Sequence, residues 1–342
     1  MRALILEEPG DKPKIVIRDI PEPDLGPNDV LVKVVSCAMC FHDVLVMRGI
    51  LRRGVMPNIV LGHEISGHVA KVGNLVTSVS EGDAVASILT STCGVCDRCS
   101  NGREHRCRNG QGIGHTINGG YADYVRVSET SLVVLPPDID LRQACILGCP
   151  MGVAFQALTE VAKIKKGETA LITGAGGGLG VHLIQLVKAL GARAFAVTTS
   201  AEKIPRLEEL GAEEVILAED IDFSEVVKAF TEDEGVDVVI DSVGPSIFRY
   251  CLNSLSQFGR MVILGDVTGG EVPFRPAELL FRDAVIAGSS GTSRENLLKV
   301  VELVQANHVR PIISQTFSLD KAIEAYQLML NKQSFGRVAL IP

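Results

Sequence analysis

The chain of 342 residues contains no tryptophan, no excess of positive charge and no uninterrupted apolar stretch of the roughly 18 residues that a membrane span needs. Each absence removes a class of function. Lysine and arginine number 33 against 41 acids, for a formal net charge of −8 and an isoelectric point near 5.5. Nucleic-acid binders neutralise phosphates with a clustered positive surface. No such cluster stands out, so no nucleic acid partner and no membrane partner is expected. The N-terminus, MRALILEEPG, has acids where a secretory signal needs an apolar segment, and a cytoplasmic protein is expected. Internal repeats and low-complexity linkers are also missing.

What is present fits a soluble globular enzyme: 46% hydrophobic and 22% charged residues, with 34 glycines. The length suggests two domains at the usual prior of roughly 150 residues each. Residues 1–150 read as short strands, among them Val30–Val35, Gly67–Val72 and Asp123–Val127, separated by Gly, Pro and Asn turns. From about Ala154 the pattern changes. Apolar strands at Thr169–Thr173, Arg193–Val197, Glu214–Leu217, Val236–Asp241, Gly259–Leu264 and Ala284–Ala287 alternate with helical segments, as in a parallel sheet covered on both faces. After Gly288 come helical stretches at Ser293–Ala306 and Leu319–Leu330, then a terminal strand, Arg337–Ile341, outside that rhythm.

Four of the nine cysteines, Cys93, Cys96, Cys99 and Cys107, fall within fifteen residues. In a long chain this spacing reads as metal binding rather than disulfides. Four thiolates, with Gly94 and Gly102 in the intervening turns, surround one Zn²⁺ with no open position, the mark of a structural site. An iron–sulfur cluster is the rival, because thiolate spacing alone does not choose the metal.

A second signal follows the strand TALIT. Gly174, Ala175, Gly177, Gly178, Leu179 and Gly180 belong to GAGGGLG, a turn leading into an apolar helix near Val181. Such a turn brings backbone close to a pyrophosphate, whose charge meets the helix N-terminus. In strict register alanine replaces the first glycine of G-x-G-x-x-G. At the end of the next strand, AVTTSAEK offers no acid for a ribose hydroxyl. Thr198, Thr199 and Ser200 can instead bond a 2′-phosphate and Lys203 pair with it, so NADP(H) is expected over NAD(H). The plainer alternative is that the hydroxyls cap the following helix.

Cys40 in AMCFHDV, His63 in LGHEISG and Cys149 in LGCPMG are candidate ligands of a second metal, but their spacing does not join them. Each taken alone reads more simply as a buried thiol or a satisfied histidine. Cys37, Cys145, Cys251, His68 and His105 receive that structural reading.

In order along the chain, Gly62-His63-Glu64, the four-cysteine lobe, GGYADYV at Gly119–Val125 and the glycine-rich turn resemble the zinc-containing medium-chain dehydrogenase/reductase superfamily, alcohol dehydrogenase type. The resemblance spans essentially the whole chain. It implies a β-rich GroES-like catalytic domain over residues 1–150 and 288–342, with a structural-zinc lobe at about 90–110. A doubly wound α/β Rossmann domain would occupy 151–287, in a homodimer or homotetramer acting on a small-molecule substrate. It further implies that Cys40, His63 and Cys149 hold a catalytic zinc, with Glu64 able to approach as a fourth ligand and Asp43 orienting the imidazole of His63. Gly265, Asp266 and Val267 would lie near the nicotinamide, and Arg337 would contact the pyrophosphate. The chain departs from the pattern at His42. Alcohol-oxidising members carry Ser or Thr two residues after the first zinc ligand, where the hydroxyl begins a proton relay. Imidazole can shuttle a proton near neutral pH, so the first expectation is an NADP(H)-preferring alcohol dehydrogenase or carbonyl reductase. The alternative is a reductase of the C=C bond of an enoyl or acryloyl thioester. A non-enzymatic nucleotide-binding relative is the third reading, opposed by the complete set of thiolate and imidazole positions. Leu45, Met47, Leu51 and Met56 are candidates for an apolar wall.

Overall fold

The computed structural model describes residues 1–219, 221–267 and 269–342. The chain divides into two compact units, one of Met1–Gly152, Gly291–Ala306 and Pro311–Pro342, the other of Val153–Ser290 and Asn307–Arg310.

The first unit is β-rich. In chain order its strands are β1 (Arg2–Glu8), β2 (Lys14–Asp19), β3 (Asp29–Met39), β4 (Ile59–Val60), β5 (Glu64–Val72), β6 (Ala84–Ser87), β7 (Thr90–Ser91), β8 (Gln111–Gly112), β9 (Tyr124–Ser128) and β10 (Leu132–Val134). The main sheet runs β10-β6-β5-β3 and continues to two strands from the far end of the chain, with β9 also on β3. β3 is its spine because its residues alternate into one apolar core: Val30, Val32, Val34, Cys37 and Met39 pack with Ile65, Val69, Val85, Val125 and Val127. Met47 is fully buried in this core, so it belongs to packing and not to a substrate wall. A short helix, Phe41–Met47, leaves the end of β3, and β5 starts at Glu64. Both ends of the segment from Cys40 to Glu64 are thereby fixed on adjacent strands.

The second unit holds β11 (Thr169–Ile172), β12 (Arg193–Thr198), β13 (Ala212–Leu217), β14 (Val236–Asp241), β15 (Leu255–Ile263) and β16 (Val285–Gly288). All five pairings are parallel, in the order β13-β12-β11-β14-β15-β16. Fully buried runs such as TALI in β11 fit strands covered on both faces. The order reverses between β11 and β14, and ligands of doubly wound sheets bind beyond the carboxyl ends of strands at such a switch point.

β17 (Ile313–Ser318) and β18 (Arg337–Ile341) complete the first unit's sheet, with β18 antiparallel to β3. β17 has no counterpart in the sequence reading: four of its six residues are exposed and one is buried, too little apolar alternation to register as a strand.

Candidate active site and metal centres

Cys40 caps the helix Phe41–Met47, and its N–H donates to Asp43 Oδ2 at 2.8 Å. This bond folds the chain so that the thiol and the carboxylate share one pocket. His63 follows Gly62, whose φ is +93°. A Cβ at Gly62 would lie 2.6 Å from the Tyr121 ring and 2.7 Å from Cys37 Sγ, so only glycine lets the segment pass and present His63 inward. Cys149 lies within the helical turn Leu147–Gly152 but has extended backbone angles.

These residues converge. One ligand atom each from Cys40, His63, Glu64 and Cys149 lies within 4.8 Å of the others, and His63, Glu64 and Cys149 are buried. His63 Nδ1 lies 3.5 Å from Asp43 Oδ1, which leaves Nε2 for a metal. Asp43 is wholly buried and is also bonded through Oδ2 by the Tyr121 hydroxyl at 3.0 Å. Burial would raise its pKa, but the His63 imidazole and its hydrogen-bond donors keep it below the usual carboxylate range. Tyr121 lies within GGYADYV, yet no spacing rule links it to Asp43; only the fold does.

Arg337 lies in the same cluster. Its Nε donates to Glu64 Oε2 at 3.1 Å, Nη2 lies 2.8 Å from Oε1, and Nη2 also reaches Cys40 Sγ at 3.4 Å and Cys149 Sγ at 3.7 Å. The resemblance makes Arg337 a pyrophosphate ligand; in the structure its guanidinium is buried against the metal-ligand candidates. Glu64 is correspondingly turned to a cation. Burial drives its pKa up to about 8 even with Arg337 beside it.

A hydrogen bond from Cys149 holds the Cys40 thiol well below its ordinary range against the effect of burial, with Arg337 and His63 assisting. Cys149 is pushed up in turn, because its ionisation would place a second anion beside the first in a dry site. Ionising both thiols needs a cation between them, and a tetrahedral Zn²⁺ fits two sulfurs and one imidazole nitrogen with a position left open.

His42 is set edge-on to His63 with ring centroids 5.2 Å apart, and 5.1 Å from the ring of His115. Its Nδ1 is buried without a hydrogen-bond partner and lies 3.9 Å from Asp43 Oδ1. His115 has no motif to mark it in the sequence. It accompanies the site because Nε2 bonds Arg53 O at 3.0 Å and its carbonyl accepts from Met56 N–H at 2.9 Å.

The four-cysteine lobe is a separate centre. Cys96 and Cys99 sulfurs are 3.5 Å apart, Cys96 and Cys107 3.9 Å, and Cys93 and Cys107 3.4 Å. Four bonds of about 2.3 Å at tetrahedral angles put ligand sulfurs about 3.8 Å apart, so the cage has the size of a zinc site. Gly94 and Gly102, at φ +70° and +67°, make the turns between ligands. The backbone N–H groups of Arg108 and Cys99 bring the Cys96 thiol down to about 6.

In the second unit, the glycine-rich turn follows β11 and opens the helix Gly180–Ala189. A Cβ at Gly180 would lie 2.4 Å from Ala175 Cα, so helix and strand approach through that glycine. Gly174 has φ +60° and its carbonyl accepts from Gly177 N–H at 2.9 Å, placing Gly177, Gly178 and Leu179 ahead of the helix. At the end of β12, Thr198 Oγ1 accepts from Ser200 N–H at 3.2 Å and Ser200 donates to Glu202 at 3.2 Å. The Lys203 stem covers Gly176, and its half-burial lowers its pKa. Thr199 lies in the bend just after β12, between Thr198 and Ser200. After β15, Gly265 packs against Ser242, Asp266 Oδ1 accepts from Gly269 N–H at 2.7 Å, and Val267 N–H donates to Val243 O at 2.9 Å. This loop and the glycine-rich turn both follow the carboxyl ends of parallel strands. Cys37, Cys145 and Cys251 are buried core residues, and His68 is exposed on β5.

A β-rich unit carrying two metal-ligand constellations, joined in one chain to a doubly wound nucleotide-type sheet, defines a zinc-binding dehydrogenase fold. Residues 26–137 match the alcohol dehydrogenase GroES-like domain family and residues 178–306 the zinc-binding dehydrogenase family. The chain is 32% identical to acryloyl-coenzyme A reductase of Sulfurisphaera tokodaii over 343 residues, covering 100% of both. It is 30% identical to an NAD-dependent alcohol dehydrogenase of the same organism, again over 100% of both chains. The crystal structure of AibC superposes with a TM-score of 0.91 at 33% identity, covering 100% of this chain and 96% of that one. The chain belongs to the zinc-containing medium-chain dehydrogenase/reductase superfamily, with a GroES-like domain and a Rossmann domain, and is an oxidoreductase of alcohol dehydrogenase type. Among the described residues no helix is long and apolar enough to cross a membrane.

Proposed function

We propose that this chain reduces the C=C bond of an enoyl thioester with NADPH, reversing the order of the two expectations drawn from sequence. The observation that carries the reading is His42. In alcohol oxidation the relay from the substrate oxygen begins at a Ser or Thr hydroxyl that this chain replaces with imidazole, whereas conjugate reduction needs an acid that protonates carbon, which an imidazolium supplies. The length-wide likeness to an acryloyl-coenzyme A reductase supports the same choice.

A bound zinc would polarise the thioester carbonyl, and the reduced nicotinamide would supply hydride to the β-carbon. The chain's own residues do the rest. Cys40, His63 and Cys149 would hold the metal, and Asp43 keeps Nδ1 of His63 engaged so that Nε2 faces it. Arg337 offsets the charge of the two thiolates and holds Glu64. His42, with Nδ1 towards Asp43, presents Nε2 as the atom that delivers one proton to the α-carbon. The imidazolium is left as neutral imidazole beside the saturated product and oxidised nicotinamide, which balances the step, and solvent reprotonates the ring.

Thr198, Thr199, Ser200 and Lys203 would receive the 2′-phosphate, since β12 ends without an acid; the nearest, Glu202, is engaged by Ser200. Gly174, Ala175, Gly177, Gly178, Leu179 and Gly180 would line the pyrophosphate, and Gly265, Asp266 and Val267 the nicotinamide. All nine cysteines are free, consistent with a reducing cytoplasm. β16 is an edge strand with Val285 52% exposed, which favours a homo-oligomer. The second reading, interconversion of alcohols and carbonyls, is favoured by the complete Cys40, His63 and Cys149 set.

A panel of enoyl thioesters, aldehydes, and primary and secondary alcohols decides between them. Turnover of C=O substrates without C=C reduction would reverse the choice. A tenfold faster rate with NADH than NADPH, about 1.4 kcal/mol, would overturn the cofactor assignment.

A further inference from the structure

Between Asp43 and Glu64 the chain carries Arg48, Arg52 and Arg53 and no acid at all. In a protein with net charge −8, this is a local positive excursion that the chain-wide average conceals. Both ends of the excursion are tied to the candidate active site, through Cys40 and Asp43 on one side and His63 and Glu64 on the other. Arg52 and Arg53 are exposed, and among the described residues neither has a carboxylate within ion-pair distance. Glu7, which lines the same pocket as Arg52, is already bridged to Lys14 and Arg18.

The arginine loop is held in place. Arg52 Nε donates to Gly49 O at 2.5 Å, so its guanidinium is braced on the loop's own turn. His115 fastens the next residues through Arg53 O and Met56 N–H. The ring of His115 then meets His42, and His42 meets His63. Three contacts therefore lead from the arginine loop to a metal-ligand candidate. Beside Arg52 opens a cavity of about 210 Å³ whose walls include Leu6, Pro9, Val46, Leu51 and Met56. It is smaller than the roughly 300–1,000 Å³ that accommodates a drug-sized ligand, and suits one ring or one branched aliphatic arm.

We propose that Arg52 and Arg53 dock the phosphate groups of a coenzyme A-type thioester. The proposal rests on the enoyl-thioester reading and names the handle by which such a substrate is held. A coenzyme A thioester has its reacting acyl group at one end of a long flexible arm and its phosphates at the other, which matches a cationic loop set back from the metal ligands. Guanidinium forks bind phosphate oxygens in pairs, and the adjacent cavity accepts an apolar part of the arm. Arginines without a carboxylate partner on a chain of net charge −8 also draw a polyanion towards this loop.

The test has a binding arm and a turnover arm. Free coenzyme A is titrated calorimetrically into the wild type, Arg52→Ala/Arg53→Ala and Arg52→Lys/Arg53→Lys, with Lys71→Ala as a control for the loss of a remote charge. The double alanine variant should bind about tenfold more weakly or worse, the lysine variant should recover part of the loss, and Lys71→Ala should match the wild type. Wild-type affinity should fall as salt rises, and the alanine variant should show a flatter dependence. With acryloyl-coenzyme A the alanine variant should raise KM and leave kcat unchanged, whereas with the acryloyl thioester of N-acetylcysteamine, which has no phosphates, KM should not move. Equal coenzyme A binding by wild type and alanine variant, no binding by the wild type, or an equal loss in Lys71→Ala each overturns the docking site. Arginine-dependent coenzyme A binding without any C=C reduction would uphold the site while defeating the proposed reaction.

Discussion

Replacing Asp43 with asparagine changes one buried atom and isolates the carboxylate's action on the second metal site. Asp43 receives two donors on Oδ2, the Cys40 N–H at 2.8 Å and the Tyr121 hydroxyl at 3.0 Å, while Oδ1 faces His63 Nδ1 at 3.5 Å. Asparagine has a single acceptor oxygen. If it serves Cys40 and Tyr121, the amide NH₂ is driven against the N–H of His63; if it serves His63, the NH₂ meets the other two donors. Either orientation misaligns the imidazole and lowers its basicity. Partners of this type are worth about 10- to 100-fold in metal affinity, or roughly 1.4–2.8 kcal/mol at 1.4 kcal/mol per decade. The assay is zinc transfer to a chromogenic chelator, in which the lobe of Cys93, Cys96, Cys99 and Cys107 and the site of Cys40, His63 and Cys149 should release metal in separate phases. Asp43→Asn should accelerate only the second phase. Identical release from wild type and variant, with both sites loaded, would refute the orienting role.

Three other expectations follow from the same structure. Cys107→Ser removes the sulfur lying 3.4 Å from Cys93 and 3.9 Å from Cys96, so metal analysis should fall from about two zinc per chain to about one, and thermal unfolding should begin earlier. Gly180→Val forces a side chain into Ala175; an overpacking loss of about 1–3 kcal/mol in urea titration should accompany weakened nucleotide binding read by the fluorescence of NADPH itself. Burial would raise Glu168, but its hydrogen bonds to Arg260 at 2.5 and 3.1 Å and to Lys165 N–H at 2.8 Å outweigh that and lower its pKa. Its stabilisation is therefore complete above the unfolded carboxylate range and is lost as pH falls through the lowered folded value. Glu168→Gln should cost on the order of 1 kcal/mol at pH 7, with the gap to wild type closing on acidification below about pH 4; a gap that stays constant down to pH 3 would contradict the charge-based account.

The sequence alone determined whatever depends on neighbours along the chain. The spacing of Cys93, Cys96, Cys99 and Cys107 marks a metal cage because the ligands lie within two short turns, and alternating apolar strands with a glycine-rich turn mark the parallel sheet because both periodicities are local. β17 is not legible in this way, because its mostly exposed residues carry no such period. The second constellation is different: family likeness alone joins Cys40, His63 and Cys149 in the sequence, no spacing links Tyr121 of GGYADYV to Asp43, and His115 has no motif at all. Tertiary structure decided how Tyr121 bonds Asp43, how Arg337 is buried against Glu64 and the two thiols, and how His115 lies between His42 and the arginine loop. The physical reason is that these side chains meet across strand pairings such as β3 with β5 and β18, where the partner of a residue is set by sheet register and not by its distance along the chain.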